Sequence, residues 1–313
     1  SHKCVQIGLV ERLDWNHTYI ICCANMNGNT TLNRELAVWS DYALEDSGGL
    51  LKCERFGGVV LVRPEAQAIW AREDEESFKT AKAVFEQKGE DGSWRVRGEM
   101  PEDWTVKWEN LVFRLRLSSF KHTGIFPEQA ANWAYIRANV KPKSKVLNLF
   151  GYTGGATLAA LSVGAEVAHV DASSPAVTSA KENAELSGFA DRPVRWLVED
   201  AMKFVEREGR RNHYYDAIIM DPPAFGRGPN KEVWQFEKGL VDLLLGCKKV
   251  LHTEHGQILL NAYSLGFPAL AVEQTVRSVF PKLREVTTVE LVLRENTKRK
   301  FLLPAGLTVR ASV

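Results

Sequence analysis

Two short stretches decide the fold of this chain: residues 146–155 read VLNLFGYTGG, and residues 217–226 read AIIMDPPAFG. Each begins as an apolar run typical of a buried strand and ends in glycine or proline. Similar runs alternate with helix-length segments along the chain. We expect strands, each followed by a helix, over 146–150 and 156–163, 167–171 and 175–186, 194–198 and 201–210, 217–221 and 233–250, and 257–262 and 268–280. This alternation predicts an α/β fold, with a parallel sheet covered by helices on both faces.

The two ends of the chain have a different texture. Residues 285–293 and 301–309 read as strands with no helix between them, so we expect an antiparallel hairpin at one edge of the sheet. The first third has short apolar runs broken by glycine and aspartate, which predict a small β-rich domain. One helix is expected there over 77–87, capped by Ser77, and the alternating segment 111–118 predicts a strand leading onward. The predicted domains are therefore 1–105 and 106–313.

Composition sets limits on function. The chain has 313 residues, 45% hydrophobic and 25% charged, which is typical of globular proteins and long enough for two domains. Its 40 basic and 39 acidic residues give a net charge of +1, which excludes a highly cationic nucleic-acid coat but not a local basic groove. We expect no membrane span and no secretory signal. The five cysteines form no CxxC pair and lack histidines at zinc spacing, so we expect a reduced, cytoplasmic protein without a metal.

Candidate binding residues follow the strands, because open α/β sheets bind ligands at the carboxyl ends of their strands. The glycines of the 150–155 loop let the backbone approach a ligand, although a tight turn for packing is the alternative. The loop does not match GxGxxG. Asp171 suits the two hydroxyls of a ribose, which does not separate NAD from S-adenosylmethionine. Asp200 suits an adenine amino group or a helix N-cap, or both.

The loop after the fourth strand of this series is the most specific feature. Asp221 can project its carboxylate or its carbonyl into the cleft, Pro222 and Pro223 stiffen the backbone, and Phe225 offers a ring for stacking. A proline-stiffened crossover without chemistry is the alternative. We expect the catalytic residues to be Asp221, Pro222, Pro223 and Phe225.

With these motifs the chain resembles the class I S-adenosylmethionine-dependent methyltransferases, and more closely the bacterial ribosomal RNA large-subunit methyltransferase I and K group. The resemblance covers about residues 120–313. It is carried by KHTGIFPEQ at 121–129, LNLFGYTGG at 147–155, and DPPAF at 221–225. Asp171 with Ser173, Glu182-Asn183 and Glu199-Asp200 follow in the family's order.

The resemblance implies a Rossmann-like, seven-stranded, mostly parallel sheet with an antiparallel C-terminal hairpin, and a site for S-adenosyl-L-methionine and its product S-adenosyl-L-homocysteine. The residues expected at that site are Lys121, His122, Thr123, Gly124, Phe126, Gln129, Asn148, Phe150, Gly151, Tyr152, Thr153, Gly154, Gly155, Asp171, Ala172, Ser173, Asn183, Glu199, Asp200, Ala201 and Asp221. His122 could orient the methionine carboxylate or the substrate, or be a hydrogen-bonded loop residue.

The chemistry expected is methylation of a nucleobase nitrogen in RNA, with ribosomal RNA as the partner that the resemblance implies. Methylation of cytosine C5 needs a cysteine nucleophile, and neither the 221–226 loop nor NAYS at 261–264 contains one. Basic clusters at 207–213 and 298–300, with Arg114 and Arg116, could contact phosphates or simply be solvated. A small-molecule or protein methyltransferase remains the alternative. A dinucleotide oxidoreductase and a non-catalytic RNA-binding protein are weaker ones, and the oligomeric state is open.

Overall fold

The computed structural model of the protein describes residues 20–21, 33–88, 91–227, 233–263 and 266–313. Three of the five cysteines, Cys4, Cys22 and Cys23, lie outside these ranges, as does Ser264.

Short strands and one short helix make up the first part of the described chain. They are β1 (Ile20–Ile21), β2 (Asn33–Leu36), β3 (Tyr42–Gly48), β4 (Leu51–Phe56), β5 (Val59–Pro64), α1 (Glu75–Thr80), β6 (Ala83–Lys88), β7 (Asp91–Val96), β8 (Asp103–Trp108) and β9 (Leu111–Arg116). Strands β3 to β7 form a five-stranded sheet in chain order, and β8 pairs with β9 in a separate hairpin.

Helices and strands alternate in the second part, after a 3-10 turn at Pro127–Gln129. They are α2 (Ala130–Asn139), β10 (Lys145–Leu149), α3 (Gly155–Ser162), β11 (Glu166–Asp171), α4 (Ser174–Leu186), β12 (Val194–Val198), α5 (Ala201–Arg210), β13 (Ala217–Met220), β14 (Phe225–Arg227), β15 (Val233–Gln235), α6 (Phe236–Val250), β16 (Gln257–Ala262), α7 (Ala269–Val279), β17 (Glu285–Arg294) and β18 (Leu302–Ser312).

The central sheet confirms the predicted α/β fold. Its strand order is β1-β2-β17-β18-β16-β13-β10-β11-β12. Strands β16, β13, β10, β11 and β12 run parallel to their neighbours in this series, whereas β18 is antiparallel to both β16 and β17. The seven strands from β17 to β12 in this order are the predicted methyltransferase-type sheet.

Two hydrophobic cores cover the two faces of this sheet, as its apolar strands predict. Alternate residues of β10, Val146 and Leu147, enter opposite cores. The first core includes α2, α3, α4 and the N-terminal strands, and the second includes α5, α6 and α7. The helices therefore enclose the sheet and leave the carboxyl ends of its strands open for a site.

The C-terminal hairpin does not lie at the edge of the sheet, which corrects one expectation. Strand β2 pairs in parallel with β17, where Leu291 lies opposite Glu35, and β1 pairs with β2. A strand of ten residues left at an edge would expose a row of unpaired backbone groups. The N-terminal segment covers part of that row, so the first third of the sequence contributes to the large sheet.

The prediction of a helix over 77–87 is also wrong. The helix ends at Thr80, and Ala83–Lys88 is a strand that pairs with β5 and β7. Ser77 lies inside the helix, and the cap is Asp74, whose Oδ1 accepts hydrogen bonds from the amides of Glu76 and Ser77 at 3.1 and 3.4 Å. The sheet pairing of the apolar segment that begins at Ala83 outweighs its helix propensity.

A third correction concerns the segment 233–250. Its first three residues form β15, which pairs with β14 just after the Asp221 loop, and the helix begins at Phe236. The other strands and helices of the alternating region agree with the expected ranges to within three residues at each end.

The β8–β9 hairpin connects the two parts of the chain. The alternation in β9 is confirmed, because Leu111, Phe113 and Leu115 are fully buried. The backbone amide of Arg114 donates to Asn183 of α4 at 2.9 Å. Since this hairpin spans residue 105 and packs on the large domain, a boundary near 105 stays a proposal.

Candidate active site

A cavity of about 700 Å³ opens at the carboxyl ends of β10, β11, β12 and β13. It is lined by Lys121, His122, Phe126, Glu128, Gln129, Phe150, Tyr152, Val170, Asp171, Ala172, Ser173, Glu199, Asp200, Ala201, Asp221, Pro222, Pro223, Ala224, Phe225, Gly226, Trp234 and Tyr263. A recess of about 50 Å³ adjoins it and shares five of these residues, Phe126, Gln129, Phe150, Tyr152 and Asp221.

The structure brings most of the predicted site residues together. All four expected catalytic residues line the large cavity, as do thirteen of the expected cofactor residues, counting Asp221 in both groups. Four more line the recess, namely Asn148, Gly151, Thr153 and Gly155. The remaining four line neither space: Thr123, Gly124, Gly154 and Asn183.

Those four residues support the wall instead. Asn183 is fully buried, and its Nδ2 donates to the carbonyl of Thr153 at 2.9 Å. The hydroxyl of Thr153 in turn donates to the carbonyl of Gly124 at 2.6 Å. Thr123 is buried, and Gly154 is the left-handed residue at the start of α3. Asn183 therefore ties the 150–155 loop to β9 and α4, from behind the cavity.

The 150–155 loop holds an unusual backbone conformation. Phe150 and Tyr152 both have positive φ, 56° and 48°, which is uncommon for residues with bulky side chains. Such conformations cost free energy and persist where the surroundings enforce them, often at functional sites. The loop therefore presents the rings of Phe150 and Tyr152 to the cavity at an energetic cost.

The glycines of this loop are required by close packing beneath it. A Cβ on Gly151 would lie 2.4 Å from Cε1 of His169, and one on Gly155 would lie 2.4 Å from Trp133. His169 is fully buried, and its Nδ1 shares a hydrogen bond with the Thr157 hydroxyl at 2.9 Å. The sequence left open whether these glycines serve tight packing or a ligand site. The structure shows tight packing beneath the loop, and the loop also lines the cavity.

Asp171 lies at the end of β11 with its carboxylate fixed by the backbone. Oδ2 accepts from the amide of Tyr152 and Oδ1 from the amide of Ser173, both at 2.8 Å. Burial raises the pKa of Asp171, and the two amide hydrogen bonds oppose that shift. Each oxygen keeps further capacity to accept a hydrogen bond from a ligand hydroxyl.

The acidic pair after β12 has structural roles as well. Asp200 caps α5, because its Oδ1 accepts from the amide of Lys203 at 3.0 Å. The Glu199 carboxylate is held by the guanidinium of Arg207. The N-cap alternative for Asp200 is therefore confirmed, and both residues also line the cavity.

The Asp221 loop forms the opposite wall. Burial raises the pKa of Asp221 to about 7. The indole of Trp234, carried by β15, donates to the carbonyl of Pro223 at 2.7 Å and lies against the Phe150 ring, with centroids 5.3 Å apart. Phe225 is 54% exposed at the mouth. The wall thus combines one partly buried carboxyl group with the rings of Trp234, Phe225 and Phe150.

Strand β5 of the five-stranded sheet helps to hold the 121–129 segment in place. Nη1 of Arg63 donates to the carbonyl of Lys121 at 3.2 Å, and the guanidinium pairs with the fully buried Glu54. Burial, together with the nearby cation Arg63, lowers the pKa of His122 to about 3. His122 is therefore neutral at physiological pH and lines the cavity next to Phe126, with ring centroids 5.0 Å apart.

Twelve residues that line the cavity or its recess were not among the predicted site residues. They are Glu128, Val170, Ala224, Gly226, Trp234 and Tyr263 in the cavity, and Phe113, Ile125, Trp133, Ala156, Ile219 and Asn261 in the recess. Glu128 and Ala224 stood inside quoted motifs and could have been included on that basis. No motif marks Trp234 or Tyr263, which reach the site through the β14–β15 pair and the end of β16.

Comparison with known proteins settles the family. Residues 85–278 match the family described as S-adenosylmethionine-dependent methyltransferase. The chain belongs to this family. The crystal structure of a SAM-dependent methyltransferase from Agrobacterium tumefaciens is 39% identical, with a TM-score of 0.83, over 88% of this chain and 91% of that one. SMU.776, a protein described as a methyltransferase and solved with S-adenosylhomocysteine, shares the fold at 19% identity and a TM-score of 0.69, over 87% of this chain and 75% of its own.

Curated relatives match over shorter stretches. Ribosomal RNA large subunit methyltransferase I of Alteromonas mediterranea is 34% identical over 131 residues, which is 42% of this chain and 33% of that protein. Ribosomal RNA large subunit methyltransferase K/L of Shewanella amazonensis is 31% identical over 199 residues, 63% of this chain and 27% of that protein. The chain thus spans a third or less of the length of these two relatives.

The cavity of this methyltransferase fits the family's cofactor, S-adenosylmethionine. Its volume of about 700 Å³ suits a cofactor with part of a substrate. The Asp171 carboxylate is rigidly held and can still accept from ribose hydroxyls, which is the chemistry an adenosine group requires. The residues present therefore agree with the cofactor that the family uses.

Neither described cysteine lines the methyltransferase cavity. Cys53 and Cys247 are free and fully buried. Burial raises the pKa of Cys53 to about 12 and raises that of Cys247 further, so both thiols stay protonated. Neither is suited to act as a nucleophile.

Several arginines of the predicted basic clusters form ion pairs with acidic side chains. Arg299 binds Asp46 and Glu295, at 2.9 and 2.8 Å, and so anchors the final hairpin to the N-terminal sheet. Arg116 pairs with Glu182 at 3.1 Å. In the 298–300 cluster, the exposed side chains are those of Lys298 and Lys300. These pairings reduce the charge available for binding phosphates.

Two further observations bear on expected absences. Asp216, His252 and His255 place potential metal-ligand atoms within 4.8 Å of one another at the opposite edge of the sheet. An ordinary hydrogen bond of 2.8 Å between His255 and Asp216 accounts for the contact between those two residues.

Within the described ranges, no helix has the length and apolar character needed to cross a membrane.

Proposed function

We propose that this family member methylates a nucleobase nitrogen in RNA, with ribosomal RNA as the substrate, and that no cysteine takes part. The observation that carries the proposal is the wall formed by the Asp221 loop, where a carboxyl group with a pKa of about 7 lies among Phe150, Phe225 and Trp234. Flat aromatic surfaces stack bases of any sequence, and a carboxylate accepts hydrogens from an exocyclic amine.

The chain's own residues would position the base and exclude water. S-adenosylmethionine, when bound, supplies an electrophilic methyl group. Pro222 and Pro223 keep the Asp221 loop rigid, and the hydrogen bond from Trp234 to Pro223 fixes it further. A rigid wall aligns the accepting nitrogen, and alignment is the main contribution an enzyme makes to a direct displacement.

Asp221 favours an exocyclic amine over a ring nitrogen. A ring nitrogen already has an in-plane lone pair and needs no base, whereas an amine loses a proton during methylation. A carboxyl group with a pKa near 7 is ionised in a large fraction of molecules at neutral pH and can accept that proton. Buried, protonated Cys53 and Cys247 favour a nitrogen target of either kind over carbon C5, because methylation at C5 requires a thiolate.

The two curated relatives named as ribosomal RNA methyltransferases support RNA as the substrate, and a cytoplasmic location belongs to the same proposal. A small-molecule or protein methyltransferase is the second candidate. It is favoured by the net charge of +1 and by the ion pairs that occupy Arg116 and Arg299.

The test is transfer of labelled methyl groups from S-adenosylmethionine to RNA, protein and small-molecule fractions of cells that lack the gene. Label in large ribosomal RNA is expected, with loss of label for Asp221→Asn. Asp242→Asn, on the exposed face of α6, is the matched control and should label normally. Label confined to protein or small molecules would favour the second candidate. Cofactor binding without label in any fraction would favour a non-catalytic RNA-binding protein.

A further inference from the structure

A buried chain of hydrogen bonds runs from the N-terminal strand β2 to the cavity. Glu35 of β2 accepts from Nη1 and Nη2 of Arg310 on β18, with both distances 2.6 Å. Nη2 of Arg310 also donates to Oδ1 of Asn132 on α2 at 2.7 Å. All three side chains are at least nine-tenths buried. Charge-assisted, bidentate pairs of this kind hold their geometry firmly.

The chain continues from α2 to the cavity wall. Nδ2 of Asn132 donates to Oδ1 of Asn261 at 2.8 Å and to Oε1 of Gln129 at 2.9 Å. Nδ2 of Asn261 also donates to Oε1 of Gln129, at 3.2 Å. Gln129 lines both the cavity and its recess, so this relay, from Glu35 to Gln129, ends at the site.

The guanidinium sets the direction of every hydrogen bond in the relay. Arginine has donors and no acceptor, so the atom of Asn132 that faces Arg310 must be its oxygen. The Asn132 amide nitrogen therefore faces Asn261 and Gln129, and both must turn their oxygens toward it. With Oε1 of Gln129 engaged twice, its NH₂ group is left to face the cavity, and this group donates to no residue in the described part of the chain.

The residue next to Gln129 provides the opposite chemistry. Glu128 is almost fully buried, with a relative exposure of 3%, and it lines the same cavity. A donor beside a carboxyl acceptor matches the carboxylate and the ammonium that S-adenosylmethionine carries on one carbon. Asp171, which suits ribose hydroxyls, is the last residue of β11, and Asp200, which suits an adenine amine, follows β12. Asn261 lies on β16. An extended cofactor would then have its adenosine at one end of the cavity and its amino-acid group at the other.

We propose that Glu35 and Arg310 are positioning residues, which fix the Gln129 amide through Asn132 and Asn261 so that its NH₂ donates to the carboxylate of the bound cofactor. The inference depends on the cofactor assignment alone and not on RNA as the substrate. It gives the N-terminal segment a part in cofactor recognition, although Glu35 does not line the cavity.

The test compares two ligands by calorimetry, S-adenosylhomocysteine and its decarboxylated analogue, which keeps the ammonium. Gln129→Glu replaces the donor by an acceptor of the same shape. Asn132→Asp keeps the hydrogen bond from Arg310 but cannot donate to Gln129, so it should turn the Gln129 oxygen toward the cavity. We expect each variant to lose about tenfold in affinity for S-adenosylhomocysteine and less than about twofold for the analogue.

Glu35→Gln tests the remote end of the relay, and we expect it to lower the affinity for S-adenosylhomocysteine alone. Asn139→Asp makes the same substitution as Asn132→Asp on the same helix, at an exposed position outside the relay, and should bind both ligands normally. A general loss of protein stability would weaken both ligands equally, so the ratio of the affinities for S-adenosylhomocysteine and its analogue would not change.

Equal weakening of both ligands would mean that the relay is merely structural and would overturn the proposal. So would unchanged affinity in Gln129→Glu, or a wild-type protein that binds both ligands equally. Should Asn132→Asp fail to fold, Gln129→Glu and Glu35→Gln still decide the matter. Binding is measured without RNA, so failure of the RNA proposal would leave this result unaffected.

Discussion

Asp221 is the residue whose electrostatics matter most for chemistry at this site. It lines the cavity, and burial alone raises its pKa to about 7. Carboxyl groups tuned to a pKa near the working pH are efficient proton acceptors. The group would therefore change its protonation state in the pH range where the enzyme works.

The first prediction concerns the pH dependence of turnover. The ionised form accepts the amine proton, so kcat should rise with pH and level off above about pH 7. Asp221→Asn should lower kcat by about 10²- to 10⁴-fold and remove this rise. Methyl transfer rates from pH 5.5 to 8.5 measure both effects, with Asp242→Asn as the control. A variant that keeps both the wild-type rate and the pH profile would rule out proton acceptance by Asp221.

The second prediction concerns the contact beneath the strained loop. The added methyl of Gly151→Ala would meet His169 at 2.4 Å, so we expect a loss of about 1–3 kcal/mol in unfolding free energy and weaker cofactor binding. His169→Ala should make room, so the double variant should be more stable than the sum of the two single changes predicts. Denaturant unfolding of the three variants measures this coupling. Strict additivity would show that the clash does not determine the loop's conformation.

Among the elements, the β14–β15 pair has the most direct effect on the site. It places Trp234 where the indole can hold the carbonyl of Pro223 and contact Phe150. The third prediction is that Trp234→Phe, which loses the hydrogen bond and keeps a ring, lowers kcat several-fold and leaves the affinity for S-adenosylhomocysteine nearly unchanged. Trp70→Phe removes a similar bond, to the carbonyl of Ser47, at a residue that does not line the cavity, and should change neither quantity. Steady-state kinetics and calorimetry separate the two effects. A Trp234→Phe variant with normal kcat would contradict this role.

Strands and helices with a clear hydrophobic periodicity were predictable from the sequence. Segments whose structure depends on pairing with strands distant in the sequence were not. The strands and helices from β10 to β13 follow from buried apolar runs and amphipathic spacing. The segment at Ala83 reads as helix until its pairing with β5 and β7 is known, and Val233–Gln235 reads as helix until β14 is placed beside it.

The same limit applies to the site. Residues next to strand ends, such as Asp171 and Asp221, were predictable because a parallel sheet gathers those ends at one edge. Trp234 and Tyr263 were not, because their places depend on how β15 and the end of β16 turn. Asn183 was expected at the cofactor site, and its hydrogen bond to Thr153 instead places it behind the wall.

In the molecule as a whole, the described N-terminal strands are joined to the large sheet and to its final hairpin. Strand β2 extends the large sheet, and Arg299 of the final hairpin binds Asp46 of β3. Buried charges of β4 and β5, including Lys52, Glu54 and Arg63, lie behind the segment that carries Glu128. We expect the two parts to unfold together for this reason.

The fourth prediction links one of these buried groups to overall stability. Burial raises the pKa of Glu128 from 4.5 to about 7. The folded state therefore holds a proton that the unfolded state has lost, and this group's contribution to stability falls as pH rises from about 4.5 to 7. Glu128→Gln should be more stable than wild type by roughly 1–3 kcal/mol at pH 8, and the difference should shrink toward pH 4.5. Denaturant unfolding across this range measures it. A difference that does not vary with pH would contradict the assigned shift.

Mass spectrometry of nucleosides can identify the atom that the purified protein methylates in ribosomal RNA when it is supplied with isotopically labelled S-adenosylmethionine. We expect the label to lie on a nitrogen of one base, and we expect Asp221→Asn to prevent its transfer. Label on carbon C5 of a pyrimidine or on a ribose oxygen would contradict the proposed chemistry, and ribosomal RNA without label would contradict the proposed substrate.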